Sequence, residues 1–263
     1  MQIALESRSA APARLASALM GTLRAAGATF RLAALTVLRA PAILAVAVLP
    51  ELAQHAAEIH LGMYDSKQAF RAAAEDPLRW FFAYPKIAGF VLAILLTARF
   101  WSLGSVRQAF LIAPRDLMKL VFAIALTVLA ELPFKWLREA SGSPVLDAVL
   151  TMMSVAVQAG LLVYLVGALV GDRENSLRSA FTRRWPTALL LSLLAALAFV
   201  PGQALHTGNH LAAFGLDPAL VWALMLFDSL WVGLMAAGLG SALSVAYRAG
   251  PTWHGWTVPP ALR

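Results

Sequence analysis

The stretch "VLDAVLTMMSVAVQAGLLVYLVGALV", Val145 to Val170, carries one charged residue, Asp147, in 26 positions. A helix rises 1.5 Å per residue, and a bilayer core about 30 Å thick needs roughly 20 apolar residues to cross it. The stretch is therefore read as a transmembrane helix. Five more runs follow the same rule: roughly Leu32 to Ala53, Phe81 to Trp101, Leu117 to Leu137, Ala188 to Leu205 and Pro218 to Val245. The expected fold is all-α, a polytopic membrane protein of about six transmembrane helices.

Composition agrees. Of 263 residues, 60% are hydrophobic and 13% charged, against about 25% charged in soluble domains. The formal charge of +7 fits basic loops on the cytoplasmic side better than a nucleic-acid module, because the bases are spread over several loops. No cysteine is present, which excludes disulfides, thiolate metal sites and cysteine nucleophiles.

Charge sorts the loops into two sets. The N-terminus, the stretches 99–119 and 171–184, and the tail after Val245 hold fifteen of the 21 bases and four of the 14 acids. The opposite loops hold six bases and nine acids, and Asp228 alone is left deep in a span. Basic residues favour the cytoplasmic side, so both termini are expected there. Residues 1–31 carry arginines spread among Ala and Leu and read as a cytoplasmic amphipathic segment lying on the membrane, in place of a cleavable signal. The membrane domain is read as 32–247, with an external loop at about 54–80, and 248–263 as a cytoplasmic tail. Phe81, Tyr84, Trp101, Trp136, Trp185 and Trp222 fall near the expected interfaces.

Three cytoplasmic stretches resemble one another: "TLRAA" at 22–26, "SVRQAF" at 105–110 and "SLRSAF" at 176–181. Each precedes an odd-numbered span. The reading is three repeated units, each a short amphipathic helix followed by a transmembrane hairpin. Arg24, Arg107 and Arg178 would reach lipid phosphates while their apolar neighbours enter the acyl boundary. Ser105 or Ser176 would cap its helix.

The six spans, with "GDRENSLRSAFTRRW" (Gly171 to Trp185) after the fourth, resemble the six-span membrane domain attached to some bacterial glycerophosphodiester phosphodiesterases and its stand-alone relatives. The resemblance implies a bacterial inner-membrane protein. It transfers no catalytic residue, and no segment outside the spans has the length of the soluble phosphodiesterase domain.

Two polar features stand out. In "PELAQHAAEIH", Glu51, His55 and Glu58 share one face if the helix continues past Pro50, because seven residues make about two turns. His60 would point away. "HTGNH" sets His206 and His210 four apart in the third external loop. Together these five residues are a candidate divalent-metal set for zinc, manganese or iron. The commoner explanation is local pairing at a wet interface.

Asp228, in "LMLFDSLW", lies about 15 Å down its span, where a charge costs about 2.5–3.5 kcal/mol. It needs a partner. Arg39 is the first candidate, then hydrogen bonds to Ser229, Ser154 or Gln158; the alternative is a proton or ion step in transport. Glu131 and Lys135 are expected to pair locally. Gly160, Gly167, Gly233, Ala237, Gly238, Gly240 and Ser241 suggest close helix contact, through which the protein would meet a partner or another copy of itself.

No nucleophile elbow, phosphate loop, dinucleotide fingerprint or HExxH motif occurs. The function expected from sequence is therefore a non-enzymatic inner-membrane protein, associated with lipids or serving as an accessory subunit. The alternatives are a small transporter centred on Asp228 and an external-face metalloprotein or metalloenzyme.

Overall fold

The computed structural model describes residues 2–250, and side chains from 16 onward. Among these residues there are ten helices and no strand. They are α1 (Gln2–Arg39), α2 (Pro41–His60), α3 (Lys67–Ala72), α4 (Pro77–Leu103), α5 (Val106–Phe110), α6 (Pro114–Ser141), α7 (Pro144–Val170), α8 (Leu177–Phe181), α9 (Trp185–Ala213) and α10 (Pro218–Ala249). Six of them, α2, α4, α6, α7, α9 and α10, are long and apolar enough to cross a membrane. The all-α, six-span expectation holds at this level.

The first span is displaced from its expected place. It is Pro41–His60, while Leu32 to Arg39 belongs to the 38-residue α1. Pro41 causes the break. Its ring disfavours the helical region for the preceding residue, and Ala40 stands at φ −145°, ψ 51°. The proline itself takes the first helical turn, where no N–H is needed. The external loop expected at 54–80 shrinks accordingly to 61–76, and holds α3. The tail expected at 248–263 lies outside the described residues beyond 250.

The repeat is visible at two of its three places. α5 and α8 are both five-residue helices with their alanine, Ala109 or Ala180, fully buried and their arginine, Arg107 or Arg178, exposed. Ser176 caps α8: its hydroxyl accepts from the Ser179 amide at 3.2 Å, and the Ser176 amide donates to the Ser179 hydroxyl at 2.9 Å. "TLRAA" differs, because it lies inside the unbroken α1 with no helix start of its own.

The chain folds as two compact units. Of the described residues, one comprises 2–29, 111–194 and 243–250. Here α6 pairs with α7, and Glu131 binds Ser154, Gln158 (3.3 Å) and Arg138 (2.7 Å). The expected Glu131–Lys135 pair is replaced by this network, and Lys135 stands 3.9 Å from Glu139. Ser154 and Gln158 are thereby taken by Glu131 and are not partners of Asp228. Gly160 gives Phe181 its place, and Gly167 gives Asn175 and Tyr247 theirs.

The other unit comprises 30–110 and 195–242. Its centre is built of small residues: Ala47 of α2, Ala93 of α4 and Ala236 of α10 are all buried together. Gly89 lets α4 approach the Val46 carbonyl, which Pro50 leaves without its usual helical donor. Gly233 lies against Val48, and Gly240 against Thr97 and the Ile94 carbonyl. The small-residue stripe of α10 is thus covered inside the chain. Trp101 is buried as well; its indole donates to Thr36 at 2.9 Å, so it is a packing residue and not part of an interfacial belt.

A buried carboxylate and histidine centre

The site belongs wholly to the second unit. It forms where the C-terminal halves of α2 and α9 meet the N-terminal halves of α4 and α10. Pro50 lies inside α2 without ending it, because only one helical hydrogen bond is lost and α4 packs tightly alongside. Glu51, His55 and Glu58 therefore do share a face, and all three are buried at 0–1% exposure. His60 is exposed. "HTGNH" is helical and forms part of α9, not a loop. That places His206 and His210 on one side of α9, with their rings 4.7 Å apart.

Asp228 of α10 joins the two motifs. Its Oδ2 is 2.7 Å from His206 Nδ1 and 3.2 Å from His55 Nε2, while Asn209 donates to its Oδ1 at 2.7 Å. Arg39 has no part in this. It lies beside the Trp101 ring, whereas Asp228 reaches α2 at His55, about 21 Å along the helix from Pro41. Ser229 donates instead to the Met225 carbonyl at 2.8 Å.

His55 stands between three carboxylates. Its Nε2 is 3.2 Å from both Glu51 and Asp228, and its Nδ1 is 3.2 Å from Glu58. α4 supplies two bases: Lys86 lies 2.8 Å from Glu51, and Arg79 donates to Glu58 at 3.3 Å. Gln54 donates to Glu58 at 3.0 Å. Three buried carboxylates thus face two fixed positive charges. Uncompensated buried charge is costly, so the centre calls for one more cation: either the imidazolium of His55 or a bound metal ion.

The donor geometry suits the metal. Glu51, His206, His210 and Asp228 each offer one ligand atom, and these atoms all lie within 4.8 Å of one another. Ligands about 2.0–2.2 Å from a zinc-sized ion stand roughly 3.5 Å apart, so a small inward movement would complete the shell. A second group, His55, Glu58 and His210, meets the same separation. Within the first group, Glu51 Oε2 and His210 Nε2 are buried with no hydrogen bond among the described residues, and His210 Nε2 lies 3.8 Å from Asp228 Oδ2. Buried polar atoms are rarely left so.

Tyr64 explains the bare His210 nitrogen. Its hydroxyl donates to Glu58 at 2.8 Å, which leaves its oxygen to accept from His210 Nδ1 at 3.2 Å. With the proton on Nδ1, Nε2 keeps its lone pair for a ligand, the usual way an outer partner fixes the tautomer of a metal-binding histidine. Burial, then the Glu58 charge, push the Tyr64 phenol up, far from neutral pH, so it remains a donor. The sequence reading missed Tyr64, Asn209, Gln54, Arg79 and Lys86. Tyr64 and Asn209 lie within or beside the two quoted motifs, but only the fold shows which polar neighbours turn inward.

A cavity of about 590 Å³ opens on the centre, lined by Glu58, His206 and His210 together with Lys67, Arg71, Arg79, Lys86, Phe70, Leu211 and Phe214. Fold and site together define a multi-pass α-helical membrane protein with a buried carboxylate and histidine centre. Compared with known proteins, the chain matches no family model, no curated protein and no solved structure. Its function has to be read from the chemistry of this centre.

Proposed function

We propose that this chain is an integral membrane metalloprotein whose centre binds a divalent transition metal, zinc first, through Glu51, His206, His210 and Asp228. The metal would act as a Lewis acid on a ligand held in the adjoining cavity. The observation that carries the reading is a pair of buried atoms, Glu51 Oε2 and His210 Nε2, that have no hydrogen bond among the described residues and lie within one group of four candidate ligands. Two imidazoles with two carboxylates suit zinc, manganese or iron. Glu58, beside the cavity and tied to Tyr64, Arg79 and Gln54, is the candidate general base for a metal-assisted hydrolysis.

The sequence expectation of a non-enzymatic, lipid-associated protein or accessory subunit rested on missing motifs. The converging donors support a more specific reading. By the positive-inside rule the centre would lie toward the external side of a bacterial inner membrane, with both termini cytoplasmic. Exposed Arg24, Arg107 and Arg178 would then contact headgroups on the opposite, cytoplasmic face.

Elemental analysis of the protein purified in mild detergent tests the assignment. About one divalent ion per chain is expected, lost in Glu51→Gln and Asp228→Asn. Wild-type protein that stays metal-free after incubation with zinc, manganese and iron(II) would sink it. One observation favours a second reading: the hydrogen-bonded line from Glu58 through His55 to Asp228 and His206 could carry protons. Metal-free protein that moves protons across proteoliposomes, and stops in Asp228→Asn, would support that transporter.

A further inference from the structure

The cavity beside the centre has a charge excess that the centre does not use. Lys67 and Arg71 stand four apart on α3, on one face, and both line the cavity. Among the described residues neither makes an ion pair with a carboxylate, whereas Arg79 and Lys86 are already paired with Glu58 and Glu51. Glu51, Glu58 and Asp228 supply three negative charges against the four bases. A divalent ion would add two more positive charges, before any histidine is counted. A single carboxylate ligand would leave most of that excess unbalanced, while a phosphate, with up to two charges and several acceptor oxygens, matches it. Part of the lining is apolar: Phe70, on α3 with the two bases, meets Phe214 edge to face at 5.6 Å, and Leu211 also lines the cavity.

Resting on the metal reading, we propose that the cavity binds a phosphate-bearing ligand. Lys67 and Arg71 hold its phosphate oxygens next to the metal, and Phe70 and Phe214 cover its apolar part. The ligand is a lipid headgroup or a soluble phosphate, and both present the same chemistry to these residues.

The test uses the full chain in a neutral detergent, zinc-loaded, with calorimetric titration of three probes: inorganic phosphate, dihexanoyl phosphatidic acid, and dihexanoylglycerol, which has the same tails without phosphate. Binding of either phosphate probe is expected, weakened about tenfold or more in Lys67→Ala/Arg71→Ala, since each lost charge-assisted bond is worth more than a factor of ten. The metal content of that variant should equal wild type, as both side chains are exposed and outside the donor set. Preference for phosphatidic acid over inorganic phosphate marks a lipid source, and the reverse marks a soluble one. The proposal is overturned if neither phosphate probe binds, if dihexanoylglycerol binds as well as phosphatidic acid, or if the double variant binds unchanged. Metal present without phosphate binding removes this inference alone. Phosphate binding that depends on Lys67 and Arg71 in protein that holds no metal removes the metal reading alone.

Discussion

Tyr64 carries more of the site than its place in a short turn suggests. One hydroxyl links Glu58 on α2 to His210 on α9 and so fixes which histidine nitrogen is free. Outer partners of this kind are worth about 10–100-fold in metal affinity. Tyr64→Phe should weaken zinc binding by that factor and leave the helix content unchanged, as competition with a fluorescent chelator and circular dichroism would show. Asp172, in the other unit, gives a pH prediction. Burial raises its carboxyl, but the hydroxyl of Tyr247 at 2.6 Å, the amide of Glu174 and the guanidinium of Arg184 at 2.8 Å more than offset this and hold it below its ordinary 3.8. A depressed folded-state value means the contribution is complete above pH 3.8 and fades as pH falls below it. Asp172→Asn should therefore lower thermal stability at neutral pH and narrow its gap to wild type in acid.

Helix α2 shows how an element can be legible in one property and misread in another. Its polar face was readable, because Glu51, His55 and Glu58 follow helical spacing whatever surrounds them. Its start was not, because hydropathy runs smoothly through Ala40 and only the effect of Pro41 on the backbone divides α1 from α2. "HTGNH" failed in the opposite direction: Gly208 weakens helix propensity by about 1 kcal/mol, and packing of α9 outweighs it. The pairing of α2 with α4 depends on Gly89. A Cβ there would meet the Val46 carbonyl and come within 3.2 Å of Pro50. Gly89→Ala should cost about 1–3 kcal/mol, seen as a lower melting temperature in detergent, and should loosen metal binding because Lys86 lies one turn away on the same helix.

For the whole molecule, the centre should couple metal to stability. An ion that binds only the folded chain stabilises it by about 2.7 kcal/mol at a hundred times its dissociation constant. Zinc should raise the melting temperature of wild-type protein, and a chelator should lower it again. In His206→Ala both responses should largely vanish. A protein whose buried charge is balanced by the His55 imidazolium alone would show neither response. The same scale accounts for the small residues of α10. In sequence they suggested close helix contact, and Gly233 and Gly240 lie against Val48 and Thr97 of the same chain.

By itself the sequence determined the class of structure. Six apolar runs of sufficient length can only be satisfied as helices in a bilayer, since every backbone group there needs an internal partner. It also marked the polar groups of the centre, because Glu51, His55, Glu58, His206, His210 and Asp228 could each be singled out as polar groups in apolar surroundings. What only the tertiary structure decided is that these are one site. Asp228 read as an isolated charge in search of an arginine, and the histidines as loop residues. Residues 173 positions apart, His55 and Asp228, are brought within hydrogen-bond reach by the packing of α2, α9 and α10. That depends on alanine and glycine contacts which the chain's hydropathy does not encode.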